Sequence, residues 1–223
     1  MGISVVIPVR NEEERLARCL EGLTNQEEKP DEIIVADADS IDQTVNIAKS
    51  FGATVIEHCP SGIAKTRNAG FNKAKYEIIA RCDADTIVPP NWIKRIKYDF
   101  TNEKIDALVG PIIYFDLPFK TTLYSKIFIY LMRRRLHHNV IMGPNMAISK
   151  NIWLKVRNEV CIEDKDVHED IDLSFHINKL GGVIKYDPLF IANTSGRRIL
   201  SNPRSFFIEY PLRFNRMLHS HNY

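Results

Sequence analysis

The 223-residue sequence lacks the motifs that define several common protein classes. Its four cysteines, Cys19, Cys59, Cys82 and Cys161, lie far apart and form no C-x-x-C pair, so zinc, iron–sulfur and thioredoxin-type chemistry have no support. No G-x-G and no G-K-[ST] occurs, which excludes the dinucleotide fingerprint and the P-loop. No apolar run approaches the ~18 residues that span a bilayer. Scattered thiols are most simply reduced core residues, which favours a cytoplasmic protein.

Composition and charge indicate an ordinary globular chain with an uneven charge distribution. Hydrophobic residues make up 44% and charged residues 26%, and this length fits one large domain. The N-terminus turns acidic after a short apolar stretch, so we expect no signal peptide. The net charge is only +2, but residues 117–139 carry five Lys or Arg and no acid, and residues 197–223 carry five Arg and one acid. Two basic segments therefore offset an acidic body.

The first half of the chain alternates short apolar runs with amphipathic segments. This alternation predicts βαβ units and a parallel sheet, and ligands of such sheets bind beyond the carboxyl ends of the strands. We predict strands over 4–8, 32–36, 53–57 and 77–81, and helices over 11–25, 42–50, 62–75 and 90–100. After residue 106 the pattern becomes mixed: a bent strand or strand pair over 107–115, a helix over 118–136, strand-like residues over 140–149, a helix over 170–180 and one or two short strands over 183–193.

Two acidic pairs are candidates for a metal site. Asp83 and Asp85 follow a predicted strand at positions i and i+2, so both carboxylates project the same way and could hold Mg²⁺ or Mn²⁺ with phosphate oxygens. Asp37 and Asp39 form a rival pair, and spacing alone does not choose between them. Either pair could instead be an Asp-rich turn that caps the next helix.

Three further polar segments could have a functional role, and each could also have a purely structural one. Residues 37–44 could hydrogen-bond a nucleoside, although Ser40 and Gln43 also have the spacing of a capping box. Arg67 lies near a predicted helix start and could meet an anion, or simply be solvated. Asp170 at another helix start could act as a general base, or serve only to cap the helix and complement its dipole.

In this order, six segments resemble the motifs of the family 2 glycosyltransferases, which have the GT-A fold. Residues 37–44 (DADSIDQT) are similar to the family's D-D-G-S-x-D-x-T signature, with Ala38 and Asp39 as the main departures. The other matches are residues 5–12 (VVIPVRNE), 62–68 (GIAKTRN), 83–85 (DAD), 143–147 (GPNMA) and 169–170 (ED). The resemblance covers about residues 3–195 and implies an α/β fold with a Rossmann-like, mainly parallel central sheet and a smaller mixed acceptor-side part. We divide this one domain into a nucleotide-sugar-binding half (1–116) and an acceptor-binding half (117–195), followed by a basic aromatic C-terminal tail or helix (196–223).

The resemblance also implies a reaction and a role for each matching residue. The implied activity is inverting transfer of a sugar from a nucleotide-diphosphate sugar to an acceptor hydroxyl or phosphate, assisted by Mn²⁺ or Mg²⁺. Asp170 is the implied base and Asp85, supported by Asp83, the implied metal ligand. The remaining candidates are Pro8, Arg10, Glu12, Asp37, Arg67 and Asp83 for the nucleotide, and Arg197, Arg198, Asn145 and Glu169 for the diphosphate or acceptor.

The two basic segments are compatible with more than one binding partner. Residues 117–139 predict an amphipathic helix with a basic end, which could lie on an anionic membrane at the inner face or pack in the core with a solvated face. The tail could be a membrane or dimer arm, a lipid-diphosphate clamp, or a flap over the donor. The acceptor could be a glycan or a polyprenyl phosphate. No motif supports nucleic-acid binding. The alternatives to an enzyme of this family are a non-catalytic nucleotide-sugar-binding or scaffold protein and a sugar nucleotidyltransferase.

Overall fold

A seven-stranded sheet organises the chain, for which a computed structural model describes residues 1–118, 120–163, 167–201 and 210–220. Its strand order is β3-β2-β1-β4-β7-β5-β8, and a separate two-stranded sheet pairs β6 with β9. The strands are β1 (Ile3–Val9), β2 (Glu32–Asp37), β3 (Thr54–Ile56), β4 (Ile78–Arg81), β5 (Ala107–Val109), β6 (Ile112–Tyr114), β7 (Met146–Ser149), β8 (Ile184–Tyr186) and β9 (Ala192–Thr194). β1 to β4 pair in parallel, whereas β7 runs antiparallel to both β4 and β5. The predicted parallel first half and mixed second half are both present.

Helices cover both faces of the large sheet. They are α1 (Leu16–Thr24), α2 (Thr44–Ser50), α3 (Ile63–Lys73), α4 (Trp92–Asn102), α5 (Leu123–Leu136), α6 (Lys150–Val156), α7 (Glu169–Lys179), α8 (Arg197–Ser201) and α9 (Tyr210–Ser220). All seven residues of β1 are buried, as expected of a central strand covered on both sides. Val5 packs in one apolar cluster with Leu20 of α1, and its neighbour Val6 packs in the other with Phe71 of α3. This alternation places the core in two layers, one on each side of the sheet.

Among the described residues, no helix combines the length and the apolar content that crossing a bilayer requires. The longest described helix, α5, has 14 residues.

The structure differs from the predicted elements at several places. α5 begins at Leu123 rather than at residue 118, and the amide of Leu123 donates to the Thr121 hydroxyl at 3.2 Å. α1 begins at Leu16 rather than at Asn11, because Asn11 has a left-handed backbone (φ 52°) and its amide donates to Ser40 of the neighbouring loop. Residues 140–145 are not a strand, and only Met146–Ser149 pairs in the sheet. The short helix α6 follows at once, since the Ser149 side chain caps it by accepting from the amide of Ile152 at 3.1 Å.

Candidate active site

Three acids, Glu12, Asp83 and Asp85, form an acidic cluster where loops leave the sheet after β1 and β4. Arg197, the first residue of α8, pairs with Glu12 from the loop after β1 and, through Nε at 3.2 Å, with Oδ2 of Asp85 from the loop after β4. The Asp85 side chain is only 12% exposed, and its Oδ1 accepts from the Thr194 hydroxyl at 3.1 Å. Burial, and then the charge of Asp83, raises the pKa of Asp85. Two acids, Glu12 and Asp85, therefore pair with one guanidinium at the edge where the sequence predicted ligand binding.

The second acidic pair does not form a joint site. Asp37 ends β2 and is buried, whereas the exposed Asp39 turns towards His58, whose Nδ1 lies 2.8 Å from its Oδ1. The hydrogen bond that the protonated His58 ring donates to Asp39 raises the pKa of His58. Because the two side chains face different surroundings, the pair Asp83 and Asp85 is the better candidate for a shared cation.

Asp37, at the end of the strand next to β1, has a carboxylate oxygen without a hydrogen-bond partner among the described residues. Its Oδ2 accepts from the amide of Ser40 at 3.1 Å, but Oδ1 is buried without a hydrogen-bond partner within the described chain. Buried polar atoms are almost always paired, so an orphaned carboxylate oxygen is a candidate ligand contact. Pro8 is buried in β1 opposite Ala36, one residue before Asp37 in the paired strand. Arg10 is exposed, with Nη1 3.3 Å from the Ser61 hydroxyl.

Glu169, the first residue of α7, is held between two buried arginines. Its carboxylate pairs with Nη1 of Arg67 and with Nη1 of Arg81, and all three side chains are less than a tenth exposed. Burial alone would raise the pKa of Glu169, but the charges of Arg81 and Arg67 outweigh it and hold the pKa below its usual value. Nη2 of Arg81 also pairs with Asp83 Oδ1 at 3.0 Å. Arg81 therefore connects the start of α7 to the candidate metal pair.

Asp170 follows Glu169 in the first turn of α7 and is partly exposed. The amide of Gly143 donates to its Oδ2 at 3.1 Å, and the amide of Ile171 donates to Oδ1 at 2.9 Å. Burial, and then the neighbouring charge of Glu169, raises the pKa of Asp170. A carboxylate fixed by two backbone amides and with a raised pKa is a candidate general base.

Three predicted site residues use their polar side-chain atoms in contacts inside the protein. The Arg67 guanidinium is fully buried and bonds Glu169 and the side chain of Asn68. Asn145 is also fully buried; it accepts from Trp92 Nε1 at 2.8 Å and donates to the Phe190 carbonyl at 2.7 Å. The Glu169 carboxylate pairs with Arg67 and Arg81, as described above. The side chain of Arg198 and the basic tail at 202–209 lie outside the described residues.

Arg81 and Thr194 contact the site although they lie outside the predicted site residues, and Gly143 lies in the matching segment 143–147 without a predicted role of its own. Arg81 could have been found, because it is the only charged residue in the strand sequence IIAR and precedes the D-x-D pair by two positions. Gly143 is required by a close approach: a Cβ there would lie 2.7 Å from Arg81 Nη2. The contact of Thr194 with Asp85 spans 109 residues and has no local sequence signal.

The residues present suit a hard divalent cation. Asp83 and Asp85 offer carboxylate oxygens, and a guanidinium already balances the charge at Asp85. Among the described residues, no group of three or more His, Cys, Asp or Glu side chains forms a complete metal cage. This donor set matches a site that phosphate oxygens and water would complete.

The comparison with known sequences identifies the family. The profile of glycosyl transferase family 2 matches residues 4–155, and the chain belongs to this family. One curated relative is the glycosyltransferase AglE of Haloferax volcanii, 32% identical over 124 residues, which are 52% of this chain and 40% of AglE. Another is the glycosyltransferase GlyG of Streptococcus pneumoniae, 30% identical over 114 residues, which are 48% of this chain and 38% of GlyG. The matches thus cover less than half of the length of these relatives.

Solved structures show the same fold. The mannosyltransferase PcManGT of Pyrobaculum calidifontis, solved with GDP-Man and Mn²⁺, superposes with a TM-score of 0.72 at 17% identity, covering 91% of this chain and 60% of that one. Glucosyl-3-phosphoglycerate synthase of Mycobacterium tuberculosis, solved with Mn²⁺, UDP and its product, gives 0.68 at 18% identity, covering 96% and 80%. The predicted GT-A fold is confirmed.

Proposed function

We propose that this chain transfers a sugar from a nucleoside-diphosphate sugar to an acceptor oxygen with inversion at the anomeric carbon. The observation that carries the proposal is the position of Arg81. Its guanidinium pairs with Asp83 of the acidic pair and with Glu169, the neighbour of Asp170. One buried side chain therefore fixes a candidate diphosphate–metal site and a candidate base relative to each other.

The donor nucleoside would bind where the loops after β1 and β2 meet. The free Oδ1 of Asp37 is available to a donor group on the base, and Pro8 and Arg10 lie on the adjacent strand and loop. Arg67 would support this site indirectly, through Glu169, rather than by touching the nucleotide. The solved relatives contain GDP-Man or UDP, which supports a nucleoside-diphosphate donor without choosing the base or the sugar.

A divalent ion bound by Asp85 and Asp83 would stabilise the negative charge that develops on the departing diphosphate. Arg197 is the side chain best placed to exchange its partners. In the structure it neutralises Glu12 and Asp85. If a divalent cation balanced the charge of Asp85, the Arg197 guanidinium would be able to pair with a diphosphate oxygen instead.

In the chemical step, Asp170 accepts the proton of the acceptor hydroxyl. An acceptor hydroxyl gives its proton to the carboxylate, its oxygen bonds to the anomeric carbon, and the bond from that carbon to the diphosphate oxygen breaks. A nucleoside diphosphate leaves with the electron pair. A glycan hydroxyl and a polyprenyl phosphate are both compatible acceptors, and an ionised phosphate would need no base.

The first experiment is a thermal-shift screen of UDP-, GDP- and dTDP-sugars with Mn²⁺ or with a chelator. We expect at least one donor to raise the melting temperature, and to do so mainly with Mn²⁺, because ligands that bind only the folded state stabilise it by mass action. No shift with any of these donors would contradict the proposed class of donor.

Replacing Asp85 by Asn should weaken donor binding in the presence of Mn²⁺ by about tenfold or more, the size typical of losing one charged contact. Binding measured with a chelator should change little. Glu28→Gln, at an exposed carboxylate paired with Lys97, is the matched control. Equal metal dependence in Asp85→Asn and the parent would exclude Asp85 as a ligand.

The acid limb of the pH–rate profile should lie above the ordinary aspartate pKa of 3.8, because burial and Glu169 raise the pKa of Asp170. Asp170 must be ionised to accept a proton, so a raised pKa inactivates the enzyme at a higher pH than usual. The profile should be measured at saturating donor and hydroxyl acceptor. A limb at or below 3.8 would argue against Asp170 as the base.

A further inference from the structure

Helix α5 has one face in the core and one face that is exposed among the residues that the structure describes. On the inner face Ser125, Ile129 and Leu136 are buried. The Ser125 hydroxyl donates to the carbonyl of Ile112 at 2.8 Å and accepts from its amide at 2.9 Å, which fixes α5 to β6. Leu136 packs in a third apolar cluster with Met217 of α9. These contacts account for the stability of the helix without its outer face.

The outer face is apolar although it is exposed. At 100° per residue, six large side chains lie within an arc of about 160°. They are Leu123 (56% exposed), Tyr124 (44%), Ile127 (48%), Phe128 (38%), Tyr130 (61%) and Leu131 (51%). Each other described helix contributes at most one exposed large hydrophobic residue. A continuous patch of this kind marks an interaction surface, whereas scattered apolar residues need no explanation.

The charged side chains of α5 all have one sign. Lys126 and Arg133 lie beside the apolar arc, and Arg134 and Arg135 continue it at the end of the helix, all of them exposed. No acid occurs between residues 117 and 139. An apolar face bordered by Lys and Arg is typical of a helix that lies in the headgroup region of an anionic membrane.

We propose that α5 docks the protein on an anionic lipid surface, with the six apolar side chains inserted among the lipids and the arginines against the headgroups. Charge favours this partner over a second copy of the chain. A symmetric contact would bring the basic residues of two copies together without an acid on α5 to pair with them, whereas anionic headgroups would neutralise them.

The docked helix connects directly to the proposed active site. α5 is hydrogen-bonded to β6, β6 pairs with β9, and Thr194 at the end of β9 donates to Asp85. Docking would therefore hold the acidic cluster close to the membrane surface, where a lipid-linked acceptor lies. This consequence rests on the proposed function; the docking itself does not.

The test measures binding to vesicles in the absence of donor and acceptor, so that its failure leaves the proposed reaction untouched. The full chain is sedimented with vesicles of phosphatidylcholine alone and with an equal mixture of phosphatidylcholine and phosphatidylglycerol. We expect binding to the mixed vesicles that weakens with salt, and little binding to phosphatidylcholine alone.

Two double variants separate the apolar and the charged contributions. Ile127→Gln with Leu131→Gln, and Arg134→Gln with Arg135→Gln, should each weaken binding to the mixed vesicles roughly tenfold or more. Leu154→Gln with Lys155→Gln removes the same kinds of exposed side chain from α6 and should bind like the parent. Unchanged melting temperatures would show that all three variants are folded.

Three results would overturn the proposal. They are no binding of the parent to mixed vesicles, equal binding to phosphatidylcholine alone, and parent-like binding by both α5 variants. Analytical ultracentrifugation identifies the competing partner. Self-association that Ile127→Gln with Leu131→Gln abolishes, without vesicle binding, would assign the face to a second copy.

Discussion

Asp170→Asn is expected to lower turnover with a hydroxyl acceptor by about 10²- to 10⁴-fold, the range of general-base catalysis, while donor affinity changes little. The asparagine side chain keeps the shape of the carboxylate but has no basic oxygen that can take the acceptor proton. It can still accept one of the two amide hydrogen bonds, from Gly143 or from Ile171. The loss of the other predicts about 1 kcal/mol of destabilisation, which leaves the protein folded.

Turnover and donor affinity should be measured on the same preparation. Glu21→Gln, at an exposed carboxylate on α1, is the matched control and should be indistinguishable from the parent. Normal turnover by Asp170→Asn would exclude this residue as the base. Loss of donor affinity equal to the loss of turnover would instead make Asp170 a binding residue.

Glu169→Gln is expected to lower the free energy of unfolding by about 3–5 kcal/mol, because it removes the carboxylate that pairs with the buried Arg67 and one of the two carboxylates that pair with Arg81. Arg67 and Arg81 are both almost wholly buried, and Glu169 pairs with each of them. Glutamine has the same shape, so the loss would come from charge and not from packing. Urea unfolding of the parent and the variant measures it directly.

Glu57→Gln provides the matched control, since Glu57 pairs with Lys49 on the surface and both side chains are more than two-fifths exposed. Its effect on the free energy of unfolding should be far smaller than that of Glu169→Gln, because solvent screens an exposed ion pair. The pH dependence gives a second check. The pKa of Glu169 is lowered in the folded state, so its contribution is complete above the unfolded value near 4.5 and is lost as the pH falls through the folded pKa. A cost below about 1 kcal/mol at neutral pH would show that the arginines do not depend on Glu169.

The fold could be predicted because its first half consists of local patterns. Buried parallel strands are short apolar runs, and β1, β2 and β4 appear within one or two residues of their predicted bounds. The start of α1 could not be predicted, because the polar groups of residues 11–13 bond the loop at 40–44 instead of capping a helix. Asn11 donates to Ser40, Glu12 to Thr44 and Glu13 to Asp42 through their amides.

The candidate site was predictable where a short motif carries the chemistry and not where distant residues meet. The D-x-D pair and Asp170 are visible in the sequence. The choice between the two acidic pairs required the structure, which turns Asp39 towards His58. The role of Arg81 also required it, since its contact with Glu169 joins residues 88 positions apart.

The central claim is that the edge bearing Asp37, Asp83 and Asp85 binds a nucleoside diphosphate through a divalent cation. Calorimetric titration of UDP and of GDP into the protein, with Mn²⁺ and then with a chelator, tests it most directly. We predict that at least one of them binds with Mn²⁺, and that chelation or Asp85→Asn weakens this binding about tenfold or more. Absence of binding by both nucleotides, or binding of equal strength with the chelator, would contradict the claim.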